Sequence, residues 1–332
     1  MSLFVSTLNQ MGVLGAYMII GFVIAKLRIV DRKSTTLLSK LENNVFLPAL
    51  VLYTFAKNFN LAALSQSWKL LLFSLGTELV IIPIAIVSAK LASKDGFIRR
   101  MYTYGLSFSN FGFMGNAVVQ ALFSASFYQS YVIFTLPLWT LIYIWGVPGL
   151  LIERGEASEE VGKKTLLEML KPLINPMFIA LLIGAVLGIS GIGEYLLSLN
   201  GGKGFFLMQV IKVCGDCMSP IAMIMTGITF AFINVKKVLT DKSIYLVTAL
   251  RLIVYPLVFG GIALLFAKHV IAFDDAIFQC FVISLAMPLG LNTIVIPAAY
   301  GRDTSVPAGM ALISHALSIA TIPLVMMIFK IG

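Results

Sequence analysis

The chain has 332 residues, of which 59% are hydrophobic and 12% are charged, and its mean hydropathy is +0.96. Soluble domains average roughly 45–50% apolar and about 25% charged residues, so this composition indicates an integral membrane protein. The formal net charge of +9 does not predict nucleic-acid binding, because the basic residues of membrane proteins collect in cytoplasmic loops. Three cysteines give no disulfide framework, and Cys214 and Cys217 lie in an apolar segment where we expect packing rather than a metal site.

Ten segments are long and apolar enough to span a bilayer, which takes about 20 residues. The predicted spans cover approximately residues 10–27, 41–57, 69–92, 99–123, 127–152, 170–190, 205–232, 243–267, 275–300 and 304–330. The loops on one side of these spans hold seventeen lysines and arginines, whereas the other side holds five. Basic loops face the cytoplasm, so both termini are predicted to face outward.

The two halves of the chain share a pattern of small residues, prolines and charges. The corresponding positions include Gly21 and Gly184, Pro48 and Pro220, and Glu78 and Arg251. Glu78 and Arg251 each lie five residues before a proline. Because each half has an odd number of spans, the second half must be inverted relative to the first. The sequence therefore predicts an all-α integral membrane fold of ten transmembrane helices in two inverted five-helix repeats. These repeats are 1–153 and 170–332, joined by a cytoplasmic connector at 154–169.

Two spans, 99–123 and 275–300, are interrupted about halfway along. The interruptions are Ser107-Phe-Ser-Asn110-Phe-Gly112-Phe-Met-Gly115-Asn116 and Met287-Pro288-Leu-Gly290-Leu-Asn292. Unwound backbone inside a membrane persists only where protein buries it or where it lines a cavity. Two breaks at matching places in the halves indicate the substrate site of a transporter, so we expect helices 4 and 9 to be broken and crossed.

The free N–H groups at the start of a half-helix attract anions. We therefore expect a small organic acid as the substrate, since the breaks contain no acidic cluster that would suit a sodium ion. The predicted substrate-binding residues are Asn110, Gly112, Asn116, Pro288, Gly290, Asn292 and Thr293. The asparagines also suit capping of the half-helices, and the two roles are compatible.

Ionisable residues within spans are costly and mark functional positions. Glu78 and Arg251 are expected either to form an ion pair that braces the broken helices or to contact the substrate. Asp216 is either a proton carrier or a hydrated acid near the outer mouth, and Lys212 lies one turn away. His315 is expected to satisfy a packing hydrogen bond.

Three prolines within spans, Pro48, Pro220 and Pro297, are predicted to kink their helices by removing a backbone donor. Nothing in the sequence indicates an enzyme, because there is no nucleotide-binding glycine loop, metal-ligand pattern or nucleophile with a base. Neither a cofactor nor a metal is expected.

The second span and both interruptions resemble those of auxin efflux carrier family transporters. The resemblance rests on Leu41-Glu-Asn-Asn-Val-Phe-Leu-Pro48, Ser109-Asn110-Phe-Gly112-Phe-Met-Gly115 and Met287-Pro288-Leu-Gly290, followed by Pro297-Ala-Ala-Tyr-Gly301. It covers essentially the whole chain and implies the fold shared with bile-acid symporters and sodium/proton antiporters. In that fold, spans 1, 2, 6 and 7 form a scaffold that usually dimerises. Spans 3–5 and 8–10 form a transport domain that moves as an elevator.

The resemblance also implies that Asn110 contacts a substrate carboxylate. One departure is Ala117, where the family usually has a proline, so the first break relies on its glycines and Asn116. The implied function is that of a bacterial-type carrier of a malate-like dicarboxylate or an auxin-like acid in the plasma membrane. The alternatives are a symporter or antiporter coupled to H⁺ or Na⁺ through Asp216 or Glu78, and a ligand-sensing membrane protein without transport.

Overall fold

The computed structural model describes residues 3–59, 61–151, 176–202, 204–232, 238, 240–269 and 274–331. These residues are helical apart from short connections and one isolated β-bridge. The predicted connector at 154–169 lies outside the described residues.

The described part of the first predicted repeat contains seven α-helices. They are α1 (Leu3–Lys26), α2 (Arg32–Leu41), α3 (Leu47–Asn58), α4 (Leu61–Ala92), α5 (Gly96–Ser107), α6 (Asn116–Leu122) and α7 (Ala125–Leu141). π-Helical segments cover Glu42–Phe46, Phe111–Gly115 and Ile142–Leu151. Helix α5 begins where the side chain of Asp95 accepts a hydrogen bond from the Ile98 N–H at 2.8 Å, which satisfies one of the free donors at the helix start.

The described part of the second half contains nine further α-helices. They are α8 (Pro176–Ile189), α9 (Ile192–Ser198), α10 (Phe206–Asp216), α11 (Met218–Phe232), α12 (Lys242–Ala249), α13 (Tyr255–His269), α14 (Asp275–Ala286), α15 (Asn292–Ala299) and α16 (Ser305–Ile328). A π-helical segment at Leu250–Val254 joins α12 to α13. Asp274 caps the start of α14 by accepting from the Ala276 N–H at 3.2 Å.

The structure bears out an all-helical membrane fold, whereas the number of ten spans stays a prediction. Within the described ranges, six helical stretches are long and apolar enough to cross a membrane, and α8 with α9 makes a seventh if that pair, bent by 81°, counts as one span. The predicted spans at 99–123 and 275–300 are divided into short helices by their interruptions. The chain is therefore a multi-pass membrane protein.

The most extensive helix contacts join α1 to α11 and α3 to α8. Glycine makes both contacts close: a Cβ at Gly21 of α1 would overlap the Ile224 carbonyl, and a Cβ at Gly227 of α11 would overlap the Met18 carbonyl. Likewise, a Cβ at Gly184 of α8 would lie 2.8 Å from the Leu52 carbonyl oxygen of α3. The matched glycines Gly21 and Gly184 thus bring helix backbones together in two separate pairs, as small residues do in membranes.

A second group of helices surrounds the interruptions. Helix α4 packs on α5 and α7, α13 packs on α14, and α12 and α14 both pack on α16. Helix α14 also contacts α7 and the π-helical segment Phe111–Gly115, and α15 contacts α5, so the two interrupted segments touch each other directly. The interruptions are therefore enclosed by helices from both halves of the chain.

Candidate functional site

The two interrupted segments cross in the middle of the protein. Helix α5 ends at Ser107 and the chain resumes as a helix at Phe111, while α14 ends at Ala286 and α15 begins at Asn292. Between these helices the extended residues Ser109 and Leu289 form an antiparallel bridge. The structure thus interrupts both segments where glycine, proline and asparagine break the apolar pattern.

Two hydrogen bonds connect the breaks directly. The Asn110 N–H donates to the Pro288 carbonyl at 2.8 Å, and the Ser109 hydroxyl donates to the Ser284 carbonyl at 2.7 Å. Asn110 N–H would have bonded the Leu106 carbonyl had α5 continued, so the crossing leaves that carbonyl without its helical donor. Another donor must satisfy it, because the site is buried.

Arg251 supplies that donor and two more. Its guanidinium donates from Nη1 to the Leu106 carbonyl at 2.9 Å, from Nη2 to the Ser284 carbonyl at 3.2 Å and from Nε to the Met287 carbonyl at 3.2 Å. The side chain is only 2% exposed. A cation at the C-terminal ends of α5 and α14 also lies where both helix dipoles are negative. Arg251 therefore fastens the ends of the two broken helices to each other.

Glu78 faces the same region but makes no ion pair with Arg251. Both residues line a cavity of about 10 Å³, about enough for one water molecule, together with Ser107 and Ser284. One Glu78 carboxylate oxygen is buried and has no hydrogen-bond partner among the described residues. The expected direct pairing of Glu78 with Arg251 is thus replaced by bonds from the guanidinium to backbone carbonyls.

Asn110 contacts His315, which lies in the last helix. The His315 Nδ1–H donates to the Ala311 carbonyl at 2.8 Å, so its Nε2 is left as an acceptor. The Asn110 side-chain N–H donates to this Nε2 at 2.9 Å. The histidine therefore fixes the orientation of the amide and leaves the Asn110 Oδ1 atom, which is buried, without a partner.

The second break has a similar arrangement around Asn292. Its side-chain N–H donates to the Tyr104 hydroxyl at 2.8 Å, and its Oδ1 atom is buried without a partner. Thr293 does not present its hydroxyl to the crossing, because this group donates to the Gly290 carbonyl at 2.8 Å. Asn116, at the start of α6, has a third buried Oδ1 without a partner in the described chain.

The glycines of the breaks are packed closely. A Cβ at Gly112 would overlap the Trp139 ring, whereas a Cβ at Gly290 would lie 3.0 Å from the Phe108 carbonyl oxygen in the other break. Gly290 thus allows the two backbones to approach, and Gly112 accommodates an aromatic side chain. Pro288 contributes the carbonyl that accepts from Asn110.

The remaining predicted residues lie elsewhere. Asp216 forms an ion pair with Lys212 at 2.5 Å, and both side chains are more than half exposed. Pro48 lies at the start of α3 directly after a π-helical segment, Pro220 follows the change from α10 to α11 at Cys217, and Pro297 lies within α15. None of these residues is among those bonded across the crossing.

The sequence interpretation missed three partners of the crossing: Tyr104, Ser284 and, as a bonded neighbour of Asn110, His315. Tyr104 lies three residues before the end of α5, and Ser284 lies two residues before the end of α14. Both are polar residues in apolar segments, and this was an available signal. His315 was expected to make a packing hydrogen bond, which it does with the Ala311 carbonyl, but its bond to Asn110 was not foreseen because the two residues are 205 positions apart in the sequence.

Comparison with known proteins identifies the family of this chain. The model of a family described as "Membrane transport protein" matches residues 14–326. A protein of Methanothermobacter thermautotrophicus named "Uncharacterized transporter" is 21% identical over 306 residues, which cover 92% of this chain and 93% of the relative. This chain is a member of the membrane transport protein family, the family of the auxin efflux carriers.

Proposed function

We propose that this chain is a secondary transporter that moves a small organic anion across the plasma membrane by elevator-type alternating access, with both termini on the outer face. The observation that carries the proposal is the crossing of two interrupted helices whose buried asparagine oxygens have no partner. Buried polar atoms are normally satisfied, so such a cluster favours a ligand site.

The packing of the helices supports a division into two bodies. The pairs α1–α11 and α3–α8 meet backbone to backbone through glycine, which suits a rigid scaffold. Helices α4–α7 and α12–α16 enclose the crossing and would form the transport domain. Equivalent close contacts at Gly21 and Gly184 also support the inverted repeat, because each pairs a helix of one half with a helix of the other.

The chemistry of the crossing favours an acid that also carries a donor. The starts of the helical segments at Phe111 and Asn292 offer backbone N–H groups to a carboxylate. The unpartnered oxygens of Asn110, Asn116 and Asn292 accept hydrogen bonds, so they favour a substrate that also carries a donor. A hydroxyl on a malate-like acid, or the ring N–H of an indole acid, would satisfy one of them.

The test is uptake into liposomes that contain the purified protein. We expect saturable uptake of malate, and weaker uptake of succinate, which has the same two carboxylates without the hydroxyl. Asn110→Ala removes an amide from the site and should raise KM by about tenfold, equivalent to about 1.4 kcal/mol. Asn9→Ala, on the exposed side of α1, is the matched control and should leave KM unchanged.

If Asn110→Ala leaves the uptake and affinity of every transported acid unchanged, the site is assigned wrongly. Equal uptake of malate and succinate would instead contradict the role of the amide oxygens. A ligand-sensing protein without transport is distinguished by counterflow, because only a carrier exchanges trapped internal acid for labelled external acid.

One observation favours a cation-coupled mechanism as the second candidate. Glu78 is buried beside a cavity of water size, whereas Asp216 is exposed and paired with Lys212. Of the two acids, Glu78 is thus the better coupling residue. Uptake that does not change with pH, with Na⁺ or with membrane potential would remove this candidate.

A further inference from the structure

Glu42 is an acidic residue that neither the crossing nor the proposed transport cycle uses. It is the first residue of the π-helical segment Glu42–Phe46, just before α3, and its side chain is 0% exposed. Neither of its carboxylate oxygens has a hydrogen-bond partner among the described residues. The Oδ1 atom of the adjacent Asn43 is also buried without a partner.

Within the described part of the chain, no cation forms an ion pair with Glu42. The segment Glu42–Phe46 packs against α2, α3, α8, α10, α11 and α15, and of these α8, α11 and α15 have no ionisable side chain. The ionisable residues of the other three helices are Arg32, Lys33, Lys40, Tyr53, Lys57, Lys212, Cys214 and Asp216. None of these residues forms an ion pair with Glu42.

A lone carboxylate that is cut off from water and from hydrogen bonds is not stable in the ionised form. In this conformation the Glu42 carboxyl therefore carries its proton. This distinguishes it from Glu78, which shares a cavity with the Arg251 guanidinium.

The segment Glu42–Phe46 lies where a change in the protonation of Glu42 can affect helix packing. The segment contacts α8, α10 and α11 of the proposed scaffold and also α15, the half-helix that follows the second break. It lies at the boundary between the proposed scaffold and the proposed transport domain. π-Helical turns within α-helices also occur frequently at functional sites.

We propose that Glu42 is a proton-binding site that links the position of α15 to pH. With α15 packed on the segment, the carboxyl is neutral. When α15 moves away and water enters, the O–H bond breaks, the proton passes to water and the carboxylate becomes hydrated. Acid therefore favours the packed arrangement, and alkali favours the separated one. This inference rests on the proposed function, because it requires α15 to move relative to α3.

The protonation is tested first, without any substrate. Infrared spectra of the protein in liposomes, recorded at about pH 5 and at about pH 8, report the C=O stretch of protonated carboxylic acids, and subtraction of a variant's spectrum from that of the wild type isolates the band of one residue. We expect a band that persists at neutral pH in the wild type and in the control Glu194→Gln, whose side chain is exposed, and that is absent in Glu42→Gln. Glu78→Gln separates any contribution of the other buried acid. A band of equal size in Glu42→Gln and the wild type overturns the proposal.

The link to movement is tested by counterflow of labelled malate with equal pH on both sides. The wild-type exchange rate should change with pH by up to about tenfold per unit, as expected for one titrating group. Glu42→Gln, which mimics the protonated side chain, should exchange at a rate that does not depend on pH. An unchanged pH profile in Glu42→Gln overturns the link.

Failure of the transport proposal gives a different experimental result from failure of the Glu42 proposal. If neither malate nor another tested acid exchanges in any protein, the transport proposal fails, while the infrared comparison still decides whether Glu42 holds a proton. Should Glu42→Gln not fold, Glu42→Asp retains the titrating group and must show a shifted pH profile. A profile identical to the wild type would again overturn the proposal.

Discussion

The first break, at residues 108–110, leads into a π-helical turn over Phe111–Gly115, whereas the second, at 287–291, leads directly into the regular helix α15. The second break contains Pro288, whose ring prevents the helix from continuing, and Gly290. The first contains no proline between Ser107 and Ser124, and its chain resumes with the wider π-helical turn. The two breaks of one crossing can therefore have different local backbone structures, provided that another segment supplies donors to the carbonyls that lose their helical hydrogen bonds.

Arg251 is the outside element on which both breaks depend, so its loss should have the largest effect. Arg251→Met leaves the Leu106, Ser284 and Met287 carbonyls without this donor, and each buried acceptor left unsatisfied costs about 1–3 kcal/mol. We expect a large fall in the melting temperature of the protein in detergent. Arg251→Lys keeps the charge without the planar fork and should fall between this variant and the wild type.

The control for this prediction is Arg99→Met, since Arg99 is exposed. A melting temperature of Arg251→Met no lower than that of the control would show that the two breaks hold together without the guanidinium.

Substitution of Gly112 in the first break and of Gly290 in the second should have an intermediate effect on the free energy of unfolding. Gly112→Ala and Gly290→Ala should each cost about 1–3 kcal/mol of unfolding free energy, because both overfill a packed site. The obstacle at Gly112 is the Trp139 side chain, so Trp139→Leu should reduce the cost of Gly112→Ala in a double-mutant cycle. The obstacle at Gly290 is the Phe108 carbonyl, which no side-chain substitution removes.

Denaturation of the four proteins of the Gly112–Trp139 cycle measures the coupling, and Gly290→Ala in the Trp139→Leu background is the control. If the effects of Gly112→Ala and Trp139→Leu are additive, a clash with the Trp139 ring is not the reason why the π-helical turn needs glycine at this position.

The smallest effect is expected in the loop that follows α15. The Ser305 hydroxyl and N–H, and more weakly Arg32, lower the pKa of Asp303 below its ordinary value by favouring the carboxylate. Arg32 lies 3.1 Å away, and both side chains of this pair are largely exposed. Asp303→Asn should therefore cost about 0.2–1 kcal/mol, as exposed ion pairs do.

The pH dependence of this loop has a definite sign. Because the pKa of Asp303 is depressed in the folded state, its contribution is present at neutral pH and is lost as the pH falls through that lowered pKa. The melting temperatures of the wild type and Asp303→Asn should converge in acid, and the contribution of Arg32 should shrink at high salt. A difference that is constant from neutral to acid pH would contradict the assignment.

Sequence reasoning located the crossing because its signals are local. Pro288, Gly290, Asn110 and Gly112 disturb an otherwise apolar helix, and such a disturbance needs no knowledge of the partner chain. The ten spans were predicted from the apolar pattern, and two of them were expected to be divided by their interruptions. Divided spans do not count among the six full-length helices in the described part of the chain, so that number is smaller than ten.

The partners of the crossing were harder to predict, because they depend on distant segments. Arg251 was expected either to form an ion pair with Glu78 or to contact the substrate. It bonds backbone carbonyls instead, and these become available only because both helices end at the same place, which the sequence alone does not show. His315 is a polar residue in an apolar helix and Glu42 lies beside Asn43, and the sequence alone does not show that His315 meets Asn110 and that the Glu42 carboxylate has no partner among the described residues.

The three bonds of the Arg251 guanidinium have a mechanical consequence. They attach carbonyls from α5 and α14 to one rigid, planar group carried by a third helical segment. A displacement of either helix end stretches bonds that hold the other, so the two ends travel together. In the proposed elevator cycle, a bound acid would therefore stay in contact with both helix ends while the scaffold residues that face it change.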